Sequence, residues 1–496
     1  MTTTITALDD DCVFVLFGAT GDLAKRKLVP ALYHLYLTGH LPKRFQLVGT
    51  GRTELSDGAF RERMAKALAD FADADPAGAD VAAFLERLFY ASQRDGADNL
   101  RQTIERRAGN GPILYYLALG PDVAEKTLTL FNDGGLPSRN ARIMLEKPFG
   151  LDLEAARRLN GLLDKSFPEE ATYRIDHYFA KDTVRNLLIF RFANAIFEPL
   201  WNRHYVDHIQ VSATETIGVE DRGAFYDSVG VVRDMLQNHV LMLLSLATME
   251  PPLAGDSESI RDRMNDLLRS IAPPEPNDFI FGQYEGYRQA DKVAPDSTTP
   301  TFAAVRLGIG NWRWHGVPVY LLSGKCLKSR VSEVSLVFKH IPLCLLESGS
   351  CNPTPPNMLT LRIHPDEGIR MSLGVKAPGY RDLVVPSSLD FRYSDLDYEV
   401  PIAESESFNE AGHHLFTGYE RVLLEALAGR SNLFWRADAI ESAWKIVDPL
   451  LRPENRPGMD KFVFYKPGTW GVEIAKDLFS QDHKQWLSSR ISKPSR

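Results

Sequence analysis

The sequence predicts a chain in two parts. An α/β doubly wound domain is expected at residues 1–175, followed at residues 176–496 by a larger α+β domain with a mostly antiparallel sheet. The length of 496 residues exceeds what one hydrophobic core supports, so at least two domains are expected. Up to about residue 175, apolar β-rich runs alternate with helical patterns, as in a parallel sheet covered by helices. Beyond it, strands and helices follow without that alternation, which indicates an α+β arrangement.

Composition and charge narrow the class of protein. Hydrophobic residues make up 44% of the chain and charged residues 25%, which is typical of a folded globular protein. The formal net charge of −8 argues against binding nucleic acid through bulk charge, so any phosphate site has to be built locally. The four cysteines include no C-x-x-C pair, which favours a reducing compartment over a disulfide framework or a zinc ribbon.

Membrane and secretion signals are not evident. The start of the sequence lacks the basic and apolar pattern of a signal peptide. The longest strongly apolar run, Val240–Met249, is far shorter than the ~20 residues that span a bilayer. We therefore expect a cytoplasmic protein whose partner is a small molecule, with no membrane, nucleic acid or metal bound.

A strand, a glycine turn and a helix open the first domain. Cys12–Phe17 is an unbroken apolar run of the kind found in central parallel strands. The turn Gly18-Ala19-Thr20-Gly21-Asp22-Leu23-Ala24 follows, and a helical pattern continues to Gly39, with Pro30 expected to bend or interrupt it. Glycine lets the backbone approach a pyrophosphate, and the start of a helix offers free N–H groups, so a Rossmann-like dinucleotide site is predicted. A plain βα turn is the alternative interpretation.

The end of the second predicted strand, Phe45–Gly49, bears on the choice of cofactor. An acidic residue there would bind a ribose 2′-hydroxyl and repel a 2′-phosphate. The sequence has Arg52 instead, which is placed to pair with the 2′-phosphate of NADP, and Thr20 can donate to the same group. Glu54 follows, so dual use of NADP and NAD stays open, as does a solvated loop role for Arg52.

Two later strands of the same domain are predicted at Ile113–Leu119 and Ala141–Leu145. The second ends in the sequence Glu-Lys-Pro-Phe-Gly at Glu146–Gly150. Ligands of open parallel sheets bind beyond the carboxyl ends of the strands, so Lys147 is placed to face both cofactor and substrate, unless it is an ordinary surface lysine. The bond before Pro148 is a candidate for the cis form, since such bonds recur at tight functional turns.

A charged octapeptide, Arg174–Lys181, lies where the two domains are expected to meet. Its charges are unsuited to a buried strand, because unpaired buried charge is strongly disfavoured. His177, Tyr178 and Lys181 can donate hydrogen bonds to phosphate oxygens, so the stretch predicts an anion grip. Asp176 is acceptor-only when ionised and is expected to partner a donor such as another histidine. A loop whose charges face water is the alternative.

The second domain is predicted to combine strands with helices. A helix is expected at Thr183–Phe192, a half-buried strand at Tyr205–Glu215 and a long helix at Asp227–Met249. That helix carries Asp234 and His239, which are five residues apart and therefore offset around an α-helix; a histidine in this setting is often simply half-buried. Further strands are expected at Ala303–Ile309, Trp312–Leu322, Val334–Phe338, Leu359–His364 and Ile369–Leu373, and further helices at Gly412–Leu427 and Asp438–Leu450.

Several motifs occur in one order over nearly the full length of the chain. They are the turn Gly18–Ala24, then Glu146–Gly150, Arg174–Lys181, Arg233–His239, the pair Lys325 and Arg330, and the tail Pro467–Gly471. Taken together, they resemble the glucose-6-phosphate dehydrogenase family, whose members are NADP-linked. The resemblance implies oxidation of D-glucose 6-phosphate at C1 to 6-phospho-D-glucono-1,5-lactone, the first step of the oxidative pentose phosphate pathway. It also implies a homodimer or homotetramer.

The resemblance implies roles for individual residues as well. His239 is implied to be the general base for the C1 hydroxyl, Asp176 its orienting carboxylate, and Lys147 a link between substrate and nicotinamide. The implied phosphate grip consists of His177, Tyr178 and Lys181. Sugar contacts are implied for Glu215, Asp234, Lys325 and Arg330. Cofactor contacts are implied for Gly18, Thr20, Gly21, Asp22, Leu23, Arg52, Tyr116 and Lys147. Oxidation of this kind needs a base and a hydride acceptor, without metal or covalent nucleophile.

One departure and two other functions stay open. At the position of His364, directly before Pro365, the family usually has Gln, so a contact made by this residue is in doubt. An NADP-dependent oxidoreductase of the glucose–fructose oxidoreductase type would act on unphosphorylated sugar and would not need Lys181. A non-catalytic NADP-sensing regulator on the same scaffold would tolerate replacement of His239.

Overall fold

The computed structural model describes most of the chain. The described residues are 11–109, 111–176, 178–179, 181–343, 356–379, 383–395, 417–432, 434–452, 454, 463–471, 473–480, 482, 484 and 486. Of these, 11–181, 256–258 and 417–440 belong to one compact unit, and 182–255, 259–395 and 441–486 to a second. None of the helices formed by the described residues is both long and apolar enough to cross a membrane.

Strands and helices have the following bounds. The strands are β1 (Asp11–Phe17), β2 (Arg44–Gly51), β3 (Leu88–Ser92), β4 (Ile113–Leu117), β5 (Ala141–Leu145), β6 (Thr172–Ile175), β7 (Val206–Thr214), β8 (Phe279–Tyr284), β9 (Phe302–Gly308), β10 (Pro318–Gly324), β11 (Val331–Phe338), β12 (Met358–His364), β13 (Gly368–Lys376), β14 (Val384–Arg392), β15 (Phe434–Trp435) and β16 (Val463–Tyr465). The helices are α1 (Val29–Leu37), α2 (Asp57–Phe71), α3 (Ala79–Leu85), α4 (Gly96–Ala108), α5 (Pro121–Asn132), α6 (Leu153–Leu163), α7 (Asp182–Phe192), α8 (Gly223–Val231), α9 (Leu241–Thr248), α10 (Ser257–Arg269), α11 (Gly418–Leu427), α12 (Ala437–Leu451) and α13 (Lys476–Ser480).

A seven-stranded sheet in the order β15-β6-β5-β4-β1-β2-β3 forms the centre of the first unit. β1 pairs in parallel with β2 on one side and with β4 on the other, and only the short β15 is antiparallel to its neighbour. Side chains of Cys12–Phe17 are buried on both faces of β1, which explains the unbroken apolar run. The predicted doubly wound Rossmann-like domain is confirmed, and its strand order reverses between β1 and β4, where ligands of such sheets bind.

The helix after β1 begins irregularly. Ala24–Leu28 is π-helical, and α1 begins at Val29 with Pro30 in its first turn. The helical run continues through Pro30 from residue 22 to residue 37, so the predicted interruption does not occur; the irregularity is the π-helical turn just before this proline, which has no N–H group to donate.

A nine-stranded sheet in the order β14-β13-β12-β11-β7-β10-β9-β8-β16 forms the second unit's core. β7 pairs with β10 in parallel and β8 with β16 in parallel, while all other neighbours are antiparallel. The predicted mostly antiparallel sheet is confirmed. The strand predicted at Trp312–Leu322 is wrong at its start, because turns precede β10 and that strand begins only at Pro318. Of the helix predicted at Gly412–Leu427, residues 412–416 lie outside the described part and α11 begins at Gly418.

The long helix predicted at Asp227–Met249 is not continuous. α8 contains Gly230, whose φ of 65° and ψ of 175° lie outside the helical region. A β-carbon at this position would lie 3.1 Å from Cγ2 of Thr299, so glycine meets both the backbone and the packing requirement. The next nine residues, Val232–Val240, form a π-helix that leads into α9. The prediction of a single α-helix is therefore wrong at Gly230 and through the π-helical segment.

Three buried side chains hold the end of α9. The last carbonyl groups of a helix have no partner within the helix itself. Arg191 donates to two of them at 3.0 and 2.8 Å, and the indole N–H groups of Trp201 and Trp314 donate to two more at 2.6 and 2.7 Å. These bonds satisfy the carbonyl groups at the end of α9.

Candidate active site

The turn after β1 leaves backbone N–H groups available for a ligand. Gly18 donates to the carbonyl of Thr50 at the end of β2 at 3.0 Å, which ties the turn to the neighbouring strand. Within the part of the chain that the structure describes, the N–H groups of Thr20, Asp22 and Leu23 have no protein acceptor. Free N–H groups beside a helix start are what a pyrophosphate requires. The Asp22 side chain itself pairs with Arg26 at 2.8 Å.

Gly18 also permits a close backbone contact. Its φ is +77°, and a β-carbon built on it would lie 2.5 Å from the carbonyl oxygen of Ala118, just beyond β4. No side chain fits there without movement of the backbone. Gly21 is exposed, and its N–H donates to the carbonyl of Gly18 at 2.8 Å, which closes the turn. These features fit a dinucleotide phosphate resting against bare backbone.

Arg52 extends from the loop after β2. The residue is exposed, and among the described residues no carboxylate forms an ion pair with it. Glu54 pairs instead with Arg94, at 3.3 Å. The loop is held in place because the hydroxyl of Tyr90 donates to the carbonyl of Thr53 at 2.8 Å. A positioned guanidinium without a carboxylate partner suits a 2′-phosphate.

Lys147 is partly buried immediately after β5, and its bond to Pro148 is cis, as predicted. The preceding Glu146 is anchored in the interior. It accepts a hydrogen bond of 2.6 Å from the hydroxyl of Tyr116, and Tyr419 at the start of α11 donates to it too. Burial of the Glu146 carboxyl raises its pKa above the usual value, although these hydrogen bonds and the Lys147 cation oppose the shift. Tyr116 itself is fully buried in β4.

Asp176 follows β6 directly and is almost fully buried. Its Oδ1 accepts the backbone N–H of Tyr178 at 2.9 Å, which folds the chain into a tight turn. Its Oδ2 accepts the indole Nε1–H of Trp435 at 3.4 Å, a residue that sequence reasoning missed. The Lys181 ammonium group lies 4.2 Å from the centre of the Tyr178 ring, so two members of the proposed phosphate grip are adjacent. The third, His177, lies outside the described residues.

Glu215 and Lys325 form an ion pair in the second unit. The pair arises because Glu215 follows β7, Lys325 follows β10, and these strands are parallel and in register at their last residues. Both side chains are mostly buried, and the Lys325 ammonium group lies 4.9 Å from the Tyr226 ring. Arg330, on the turn between β10 and β11, is exposed and forms no ion pair with any described carboxylate.

Asp234 and His239 both lie on the π-helical segment. In a π-helix the backbone hydrogen bonds join residues five apart, so Asp234 and His239 are less offset around this segment than they would be in the predicted α-helix. His239 is almost fully buried, whereas Asp234 is half-buried. Nothing in the sequence pattern distinguished a π-helix from an α-helix here, because both bury the same apolar residues.

A Rossmann sheet with a glycine turn at its strand reversal, in a chain that continues into an α+β domain, is typical of a dinucleotide-binding protein. Two family models match the chain, described as "Glucose-6-phosphate dehydrogenase, NAD binding domain" over residues 15–186 and "Glucose-6-phosphate dehydrogenase, C-terminal domain" over residues 188–487. The chain belongs to the glucose-6-phosphate dehydrogenase family.

Individual relatives match this chain over nearly its whole length. The chain is 39% identical to a glucose-6-phosphate 1-dehydrogenase of Aggregatibacter actinomycetemcomitans over 96% of this chain and 97% of that protein. A crystal structure of glucose-6-phosphate 1-dehydrogenase from Mycobacterium avium matches with a TM-score of 0.83 at 33% identity, covering 96% of this chain and 98% of the other. A glucose-6-phosphate dehydrogenase solved with its substrate glucose 6-phosphate matches with a TM-score of 0.83 at 31% identity, covering 97% of this chain and all of that chain.

Proposed function

We propose that this protein oxidises D-glucose 6-phosphate at C1 to 6-phospho-D-glucono-1,5-lactone with NADP as hydride acceptor, the first step of the oxidative pentose phosphate pathway. The observation that carries the proposal is family membership over the whole chain. It is supported by the presence in this sequence of the proposed base, its carboxylate and the lysine after β5, which are His239, Asp176 and Lys147.

The chemical step needs a group that takes the proton from the C1 hydroxyl. We assign that role to Nε2 or Nδ1 of His239, with the Asp176 carboxylate orienting the imidazole and stabilising its protonated form. Lys147 orients the substrate at the carboxyl end of β5. When bound, NADP supplies the carbon that accepts the hydride, and no metal is required.

Substrate binding is assigned to donors and acceptors of suitable chemistry. A phosphate dianion takes hydrogen bonds and charge from Tyr178 and Lys181, and from His177. Sugar hydroxyls suit the carboxylates of Glu215 and Asp234, with Lys325 and Arg330 as further donors. Because Glu215 and Lys325 already neutralise each other, they can hold hydroxyl groups without leaving buried charge unpaired. Binding of the remote phosphate then serves to position C1.

NADP rather than NAD is proposed because of Arg52. Its guanidinium group has no described carboxylate partner, whereas Glu54 is paired with Arg94. The free N–H groups of Thr20, Asp22 and Leu23 and the bare backbone of Gly18 and Gly21 suit the pyrophosphate. Tyr116 is fully buried, so any cofactor contact of this residue is expected through its backbone or through Glu146.

The decisive experiment is a steady-state assay of reduced nicotinamide formation, with glucose 6-phosphate or glucose as substrate and NADP or NAD as acceptor. We expect kcat/KM to be highest for glucose 6-phosphate with NADP. Preference for unphosphorylated glucose would favour an oxidoreductase of the glucose–fructose type. NADP binding without turnover on either sugar would favour a regulator.

The phosphate grip has its own test. Lys181→Ala should raise KM for glucose 6-phosphate by at least about 10-fold while kcat changes little, because it removes a charge-assisted bond to the phosphate. The matched control is Lys165→Ala, which removes an exposed lysine of the same unit that has no proposed role. Equal KM values for the two variants would place the phosphate elsewhere.

Assembly and location complete the proposal. We propose a cytoplasmic homodimer or homotetramer, since the outer strands of the second sheet expose large apolar side chains at Val375, Leu389 and Phe391. Light scattering coupled to gel filtration measures the molar mass directly. The mass of a single chain across a range of concentrations would contradict the proposed assembly.

A further inference from the structure

Asp176 is held by a side chain that comes from the far end of the first unit's sequence. Trp435 is 259 positions away from it, on the short strand β15. β15 pairs antiparallel with β6, so that Trp435 faces Arg174 and Phe434 faces Ile175. The ring of Trp435 packs edge-on against Phe179, with centroids 5.9 Å apart. Strand pairing and aromatic packing therefore fix where the indole N–H points.

The contact favours the ionised state of the carboxylate. The indole Nε1–H is a donor only, so it bonds more strongly to an ionised oxygen than to a protonated one, whose own O–H would still need an acceptor. With the backbone N–H of Tyr178 on Oδ1 and Trp435 on Oδ2, both oxygens of Asp176 have a fixed donor. Only 1% of Asp176 and 2% of Trp435 is exposed, so water does not replace this bond at low cost.

We propose that Trp435 is a positioning residue for catalysis, which acts by fixing the rotamer and the charged state of the Asp176 carboxylate. The inference rests on the proposed roles of Asp176 and His239. A carboxylate that orients an imidazole must present one lone pair in one direction, and a donor on its other oxygen prevents it from turning. Trp435 thus contributes to turnover without touching substrate or cofactor.

The test is a double-mutant cycle in kcat with Trp435→Phe and Asp176→Ala. Phe keeps a ring against Phe179 but loses the donor and the second ring of the indole, and without the donor kcat should fall by about 10-fold with KM for glucose 6-phosphate nearly unchanged. In the Asp176→Ala background the same substitution should cause no further loss, because the donor has nothing left to act through. Trp435→Tyr, which also lacks a donor at that place, is the second variant should Phe impair folding.

A matched control separates positioning from general loss of packing. Trp314 is also fully buried and its indole N–H also donates a hydrogen bond, but to a backbone carbonyl at 2.7 Å. Trp314→Phe should lower the unfolding midpoint in urea about as much as Trp435→Phe does. Any change that it causes in kcat, however, should be the same factor in the unchanged protein and in the Asp176→Ala variant.

The possible outcomes distinguish this inference from the proposed function. If Trp435→Phe leaves kcat unchanged, or lowers it by the same factor with and without Asp176, the positioning role is wrong while the role of Asp176 stands. If Asp176→Ala alone retains full kcat, the proposed role of Asp176 fails, and the role of Trp435 fails with it.

Discussion

Replacement of Gly18 by alanine tests the phosphate-binding turn most directly. Gly18 has a φ of +77°, and the added β-carbon would lie 2.5 Å from the carbonyl oxygen of Ala118. Gly39, just after α1, has a φ of +71° and nothing within 4 Å of its added β-carbon. The two positions therefore share the cost of a left-handed backbone, but only Gly18→Ala adds a clash with backbone.

The two costs can be estimated separately. A left-handed conformation costs an alanine about 1–2 kcal/mol, which applies to both variants. Real β-carbons essentially never approach another atom more closely than 3.0 Å, so in Gly18→Ala the turn must shift by about 0.5 Å. Overpacking of this kind adds about 1–3 kcal/mol. The shift also moves the N–H groups of Thr20, Asp22 and Leu23, whose positions determine the fit of a pyrophosphate.

The assay is binding of reduced NADP, followed by its fluorescence, together with unfolding in urea. Gly39→Ala should lower stability and leave the Kd for the cofactor unchanged. Gly18→Ala should lower stability further and raise the Kd by at least about 10-fold, equivalent to about 1.4 kcal/mol. Equal Kd values for the two variants would refute the assignment of this turn to the cofactor.

Three further predictions concern the base, the cofactor choice and a buried carboxyl. His239→Asn should lower kcat by about 10²- to 10⁴-fold with little change in KM, because it removes the proton acceptor; an unchanged kcat would reject that role. Arg52→Ala should raise KM for NADP far more than KM for NAD, whereas the control Arg106→Ala, which removes an exposed arginine of α4, should leave their ratio unchanged. The pKa of Glu146 is raised by burial, so the folded state binds its proton more tightly than the unfolded state, and stability falls as pH rises from about 4.3 through the raised pKa. The free energy of unfolding of Glu146→Gln in urea, relative to that of the unchanged protein, should therefore be higher at pH 7 than at pH 5. The same difference at both pH values would contradict this.

Local patterns predicted the first unit well because its signals are short in sequence. The apolar run of β1, the glycine turn and the end of β2 lie within 41 consecutive residues, from Asp11 to Gly51. A strand buried on both faces favours apolar residues throughout, and a turn with positive φ favours glycine. Both requirements act on residue type at a known spacing, so the structure confirms what the spacing predicts.

The same patterns failed where the backbone departs from regular geometry. Asp227–Met249 has the apolar residues of a buried helix, yet Gly230 breaks it and Val232–Val240 is π-helical. An apolar periodicity of three to four residues does not separate these cases, because the surrounding sheet, rather than the helix itself, determines which residues are buried.

The sequence by itself determined the order of the two domains, the glycine turn after β1 and the chemical types of the proposed site residues. Only the tertiary structure brought Trp435 to Asp176, Tyr116 to Glu146 and Lys325 to Glu215. These pairs depend on strand pairing between distant segments, with 110 positions between Glu215 and Lys325. Residue type and spacing report what a segment requires, but the partner that satisfies a buried carboxylate is set by sheet order and register, which local patterns do not contain.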